Sequence, residues 1–463
     1  MKPRTVVVIG GGLAGITAAL DCAREGAEVT LLEARGRLGG AAYSFTRGEL
    51  IVDNGQHVFL RCCTAYRELL EQLGASELVV LQERLDVPVL APGGRVGWLR
   101  RSQLPAPLHL AASLLRYPYL GTRDRIALAW AMQRLRAIDV DDPANDAVSF
   151  GDWLRRRRQS RRAVESIWEL IVRPTVNLTV DSASLAQAAQ VFQVGLLQDA
   201  AAGDIGWAVV PLGQIHDGCG REALERAGVT VRLRSTGQAV SRVTASGGTS
   251  AGQASLRVDA SDGLSVAADA VILALPPAQA AQLLPARDGI EPGWSEHLGT
   301  SPIINLHVVY DRRVLEHPFA ASVDSPVQWV FDRTAGSGLA GGQYVAVSLS
   351  AADAELHATA EELQARYLPA LAELLPAAAD AEVREFFVTR EHAATFRAGP
   401  GARSWRPGPR TEVPGVVLAG AWTDTGWPAT MEGAVRSGHV AAREVLTMTA
   451  SLTDAAEPAT IQV

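Results

Sequence analysis

The chain has little that would tie it to nucleic acid, to a metal or to a lipid bilayer. It carries almost no lysine beyond Lys2, and its 43 Lys and Arg side chains are outnumbered by 50 Asp and Glu, a net charge of −7. Such a surface repels a polyanion, and no domain-wide basic footprint marks a nucleic-acid reader. The four cysteines, Cys22, Cys62, Cys63 and Cys219, are too few and too irregular for a disulfide framework, and no C-x-x-C pair begins a zinc site, so no metal is expected. Adjacent Cys62 and Cys63 read as buried small residues at a helix start, and a reducing, cytoplasmic compartment suits this usage. No stretch reaches the ~18 to 20 apolar residues of a membrane span. The nearest, Ser182 to Gln198, is uncharged but holds four glutamines. The first residues run straight into Val6-Val7-Val8-Ile9 without an apolar leader or a small-residue cleavage site, so no secretory signal is expected.

What is present is enough apolar material for a large core: 48% hydrophobic residues over 463 positions, with 43 Gly and 24 Pro scattered without a repeat. That composition excludes collagen-like, coiled-coil and disordered chains. At roughly 150 residues per domain the length suits about three domain-sized units, or domains that interleave.

Thr5 to Ile9 is a β-branched apolar run that stops at glycine, and reads as a buried strand. Leu13 to Glu25 follows as a helix with Leu13, Ile16, Ala19, Leu20 and Ala23 on one face, and Val29 to Leu32 as a second strand ending at Glu33. Together they make one right-handed βαβ unit. From Leu104 to Gln198 the spacing is largely helical: Leu108 to Leu115, Arg123 to Arg136, Phe150 to Arg158, Ala163 to Val172 and Ser184 to Gln198. Short strands follow at Val229 to Leu233, Val240 to Val243, Leu256 to Asp259, Leu264 to Ala267 and Ala270 to Leu275. Further strands are expected at Ile303 to Tyr310, Val327 to Phe331, Tyr344 to Leu349 and Val416 to Ala419. Helices are expected over about Ala352 to Leu375 and Met431 to Leu446, and the small, polar residues after Thr447 read as a disordered tail.

Gly10, Gly12 and Gly15 fit G-x-G-x-x-G directly between the first strand and the helix. The first glycine permits the tight turn, the second lets backbone approach a pyrophosphate, and the third lets helix pack on strand. Glu33 lies eighteen residues after Gly15, where a carboxylate accepts ribose hydroxyls. Strand, helix and acid in register separate this match from two others. Gly336, Gly338 and Gly341 precede a strand and read as a hairpin loop, and Gly218-Cys219-Gly220 has no strand before it. One dinucleotide site is therefore expected, which argues against a second NAD(P)H-binding domain.

The run Glu33-Ala34-Arg35-Gly36-Arg37-Leu38-Gly39-Gly40 resembles the signature of the flavin amine oxidase and phytoene desaturase superfamily. The resemblance implies FAD, held by Gly10, Gly12, Leu13, Ala14, Gly15, Glu33, Ala34, Arg35, Arg37, Gly39, Gly40 and Val240, and near the C-terminus by Gly420, Thr430, Met431 and Glu432. Ala41 stands where that superfamily usually has a third arginine. Asp53-Asn54-Gly55-Gln56-His57-Val58-Phe59-Leu60, Leu104 to His109, and Ala419 to Ala434 are similar to blocks of the hydroxysqualene dehydroxylases, also described as squalene-associated FAD-dependent desaturases. Ala421 departs from that family's Asp, which would hold the ribityl chain; losing such a bond costs about 1.5–3 kcal/mol.

The resemblance implies an α/β fold: a Rossmann-like FAD-binding domain built from residues 1–85, 205–285 and 405–447, with a mixed α+β substrate domain inserted as 86–204 (helical) and 286–404 (sheet), before a tail at 448–463. It further implies an FAD-dependent oxidoreductase of squalene and hopanoid biosynthesis that removes the allylic hydroxyl of a C30 isoprenoid, with an external electron donor for the flavin. Candidate acids are His57, whose imidazole titrates near neutral pH, Asp424 and Glu432; structural roles for all three stay open beside the catalytic ones. Leu104 to Leu120, flanked by Trp98, Arg100, Arg101, Tyr117 and Tyr119, reads either as a peripheral membrane-docking face or as an ordinary helix of the substrate domain. Arg155 to Arg158 with Arg161 and Arg162 reads as a solvated helix face or an anionic-lipid contact. The alternatives are a carotenoid or phytoene-type desaturase, an amine oxidase, and a non-catalytic flavoprotein scaffold.

Overall fold

The computed structural model describes residues 4–243, 255–284 and 290–454. Strand β1 (Thr5–Ile9), helix α1 (Leu13–Arg24) and strand β2 (Glu28–Glu33) form the expected opening unit. Helix α2 (Thr64–Leu73), strands β3 (Thr230–Leu233), β4 (Ala270–Leu273) and β5 (Val416–Leu418), and helix α3 (Met431–Asp454) come from far along the chain to join it. The five strands form one sheet in the order β3–β2–β1–β4–β5, every pair parallel. Central β1 is buried on both faces, which is why it reads as a continuous Val-Val-Val-Ile run rather than an alternation.

The second unit is a seven-stranded sheet. Its order is Val383–Thr395, Ser301–Tyr310, Gln343–Ser350, Trp329–Asp332, Phe319–Ser322, Asp86–Ala91 and Arg95–Arg100, antiparallel except between Phe319–Ser322 and Asp86–Ala91. Leu363, Tyr367, Leu371 and Leu374 of the helix Ala360–Leu374 fill the core against it. The helical region packs Phe150, Trp153, Trp168 and Phe192 ring against ring, which makes these residues core.

The structure departs from the sequence expectations in several places. The span from 86 begins with the hairpin Asp86–Ala91/Arg95–Arg100. Thr359 caps the late helix at Ala360 through a reciprocal pairing with Glu362, so residues 352–359 stay outside it. The strand Val383–Thr395 carries charged residues on both sides of its one short apolar run, Phe386-Phe387-Val388, which hides it from periodicity. Gly336 to Gly341 lie in the connection between antiparallel Trp329–Asp332 and Gln343–Ser350, as a hairpin loop requires. Helix α3 runs past Thr447 to Asp454; the rest of the expected tail, 455–463, lies outside the described residues.

Candidate active site

The glycine turn between β1 and α1 is a cradle of backbone. Gly10 has φ +111°, and a Cβ there would stand 2.2 Å from the carbonyl oxygen of Ala274 on the neighbouring crossover. Gly15 is just as constrained, since its Cβ would meet Gly10 O at 1.9 Å. A Cβ placed on Gly12 would find only Gly40 Cα within 4 Å, at 3.7 Å, so the face between the two loops is bare of side chains. No side chain caps α1 at Gly12 and no acid occupies its first turn, which leaves the amides of Leu13, Ala14 and Gly15 for an anion. Glu33 is buried at the end of β2, where Oε2 accepts the Gly11 N–H and Oε1 the Arg35 N–H, both at 2.7 Å. Arg37 lies over the Tyr43 ring at 3.5 Å and donates to Gly40 O, while its Nη2 is buried without a partner among the described residues. A bare turn, an uncapped helix start, a ribose-side carboxylate and an unpaired guanidinium nitrogen fit a dinucleotide pyrophosphate.

Sequence reasoning missed what holds the outer wall of this cradle. A π-helical turn, Gln214–Cys219, brings His216 and Asp217 against the 36–42 loop. Asp217 accepts the Leu38 N–H at 2.8 Å, and buried His216 bonds Ala42 O at 3.0 Å and the Tyr66 hydroxyl at 2.9 Å. Burial lowers the His216 pKa, so the ring is neutral. Of the other cofactor candidates, Ala34 and Arg35 are exposed beside Glu33, and the Val240 side chain lies in the apolar core with Leu256 and Val258.

At the other end, Gly420 donates its N–H to Ser437 Oγ, and the Thr430 hydroxyl accepts the Gly433 N–H in the first turn of α3. The loop between them is organised from within by buried Arg406, which donates to the carbonyls of Ala421, Trp422, Thr423 and Trp427. Burial lowers the Arg406 pKa to about 10. Asp424 stands on the exposed side of this loop, 3.4 Å from Arg403.

Glu432 has a structural position. Its carboxylate accepts the Ala65 N–H at 3.2 Å, the Tyr66 N–H at 2.8 Å and Arg436 Nε at 2.7 Å, so α3 supplies the cap for the start of α2. Cys63 stands immediately before that helix, the place expected of it.

His57 sits where the two sheets meet. Preceding Asp53 is held by Arg333, by Ser44 Oγ and by the Leu212 N–H, and Asn54 reaches Glu391 of the large sheet at 2.9 Å. Beyond them is a small chamber walled by Gln56, His57, Val58, Trp207, Phe319 and Phe331. Trp207 meets Phe319 edge-on at 5.4 Å, and Trp329 stacks on Phe331 behind it. The space is about 10 Å³, room for one water-sized group, so a long chain enters only if these walls part. Burial, with the Arg333 charge adding to it, lowers His57 to about 4, and Nε2 is sealed without a partner among the described residues. That replaces the near-neutral imidazole expected from the sequence with one that is uncharged at pH 7.

The membrane-facing expectation changes in detail. Tyr117 and Tyr119 are core residues whose hydroxyls bond Ser166 O and Val89 O, and Arg101 is clamped to Asp204. Leu104, Leu108 and Leu115 are exposed. Within the arginine cluster Arg155, Arg161 and Arg162 pair with Asp152, Glu165 and Asp324. Among the described residues no helix is long and apolar enough to cross a membrane, and no cluster of His, Cys, Asp or Glu suits a metal.

Over residues 13–446 the chain matches the family described as flavin containing amine oxidoreductase, and it belongs to that family. It is an FAD-dependent oxidoreductase, which sets the non-catalytic scaffold aside. Among curated proteins it is similar to hydroxysqualene dehydroxylases of Rhodopseudomonas palustris, at 29% identity over 96% of this chain and 98% of that one, and of Sinorhizobium fredii, at 28% over 96% and 99%. A zeta-carotene desaturase of Synechocystis is 25% identical over 96% and 98%. Putrescine oxidase bound to putrescine superposes with a TM-score of 0.71 at 21% identity, covering 96% of this chain and 99% of that one. Cyclohexylamine oxidase from Brevibacterium oxydans gives 0.68 at 18%, over 97% and 100%. These two structures speak for the fold alone.

Proposed function

We propose that this flavoenzyme reductively removes the allylic hydroxyl of hydroxysqualene, a C30 isoprenoid, to give squalene. The observation that carries the reading is similarity over 96% of the chain to two hydroxysqualene dehydroxylases. Reduced FAD, kept in that state by an external donor, supplies the hydride. Gly10, Gly12, Gly15, Glu33 and Arg37 would hold the dinucleotide, and the start of α3 at Met431, where the Thr430 hydroxyl accepts the Gly433 N–H, would face the cofactor's other end. The rings of Trp207, Phe319 and Phe331 favour positive charge developing on an allylic carbon, each contact worth up to about 2 kcal/mol once water is excluded. His57, neutral in this setting, would accept a hydrogen bond from the substrate hydroxyl and does not store a proton; the proton that lets the hydroxyl leave as water would come, with the hydride, from the reduced flavin. Asp424 and Glu432 hold structure in this reading, through Arg403 and through α2.

Bringing a thirty-carbon hydrocarbon through water costs on the order of 20 kcal/mol at ~0.8 kcal/mol per carbon. Leu104, Leu108 and Leu115 give the protein an apolar edge for collecting it from the inner membrane face. A zeta-carotene desaturase activity is the second reading, favoured by the 25% identical relative and running the flavin in the oxidising direction. Anaerobic incubation of dithionite-reduced holoenzyme with hydroxysqualene separates the two. Squalene should appear in step with flavin reoxidation; no squalene at full FAD occupancy overturns the proposal.

A further inference from the structure

We infer that Gln56 and His57 form a recognition site for a hydroxyl group on an otherwise apolar ligand, and that the pair makes this enzyme select an alcohol over the matching hydrocarbon. The inference deepens the proposed function and rests on it for the length of the ligand, not for the hydroxyl.

Gln56 and His57 line one chamber, and a buried nitrogen of each, Gln56 Nε2 and His57 Nε2, finds no partner among the described residues. The polar neighbours in its wall are already engaged. Asp332 accepts from the Thr334 N–H and hydroxyl and from Gln343 Nε2, and Arg333 is taken by Asp53 and by Ala208 O. The remaining wall, Val58, Trp207, Pro318, Phe319 and Phe331, is apolar. An amide N–H only donates, whereas a neutral imidazole nitrogen in the right tautomer accepts. A hydroxyl, like the water it would displace, answers both, since its oxygen accepts from Gln56 while its hydrogen is donated to His57. The space of about 10 Å³ is the size of that group. Burial keeps the imidazole uncharged at neutral pH, as acceptance requires. A hydrocarbon that fills the same walls displaces any water and leaves both nitrogens unpaired. Sites built to bond a hydroxyl reject the analogue lacking it by up to about 10⁴–10⁵-fold. With two uncharged groups in a small chamber, at least about tenfold is expected here.

The test uses oxidised holoenzyme, which carries no electrons for dehydroxylation, and reads binding of hydroxysqualene and of squalene from tryptophan fluorescence in matched detergent micelles. The wild type should bind the alcohol at least tenfold more tightly. Gln56→Leu, with Gln56→Met as the second variant should the first lose FAD, should bring the two affinities within about twofold by weakening the alcohol alone. Equal binding of both ligands by the wild type, or full preference in an FAD-replete variant, overturns the inference. Squalene production by the reduced wild type without such a preference would leave the proposed function standing and remove this one. A preference without turnover would do the reverse.

Discussion

The cofactor cradle and the chamber beside His57 are built on opposite plans. The cradle is backbone: a glycine turn, a bare helix start and one carboxylate, all supplied by residues 10 to 40. The chamber is side chains: Gln56 and His57 from one loop, Trp207 from a strand 150 residues on, Phe319 and Phe331 from the large sheet. A backbone device tolerates almost no change in its glycines. A chamber of side chains can be retuned one residue at a time while the fold persists.

Three substitutions probe that contrast. The largest effect is expected from Gly15→Val, whose Cβ would stand 1.9 Å from Gly10 O. It should give protein without the flavin absorbance band and destabilised by on the order of 4 kcal/mol or more in urea; a yellow, fully loaded variant would break the cradle half of the comparison. Arg333→Ala comes next. It leaves Asp53, 5% exposed, without its counter-charge and should cost about 3–5 kcal/mol by chemical unfolding. Smaller still is Glu432→Gln, which weakens the cap on α2 by about 0.5–2 kcal/mol in thermal denaturation. It should keep squalene formation per bound flavin within about twofold of wild type; a hundredfold loss at full FAD content would return Glu432 to the chemistry.

The same contrast explains what could be read from the sequence. Gly10, Gly15 and Glu33 declare themselves because strand, turn, helix and acid are contiguous, and the local spacing is the chemistry. Cys63 at a helix start was legible for the same reason. His57 could be singled out from its motif, but its depressed pKa could not, because Trp207, Phe319 and Phe331, which help to wall it in, lie 150 or more positions away. Glu432 looked like a helix-start acid near the flavin; its partners, Ala65 and Tyr66, open the helix after Cys63, more than 360 positions away, a pairing no local spacing shows. Tyr117 and Tyr119 resembled an interfacial belt until the fold turned their rings inward. Long-range packing is what one-dimensional spacing cannot carry.

The widened turn at Gln214–Cys219 has an evolutionary consequence. One surplus residue in that coil aims both His216 and Asp217 at the phosphate-side loop, so a single-codon deletion there would rewind the helix to normal pitch and swing both away by about 100°. Indels in this short stretch should therefore be purged from descendants of this lineage even where the surface around it drifts freely.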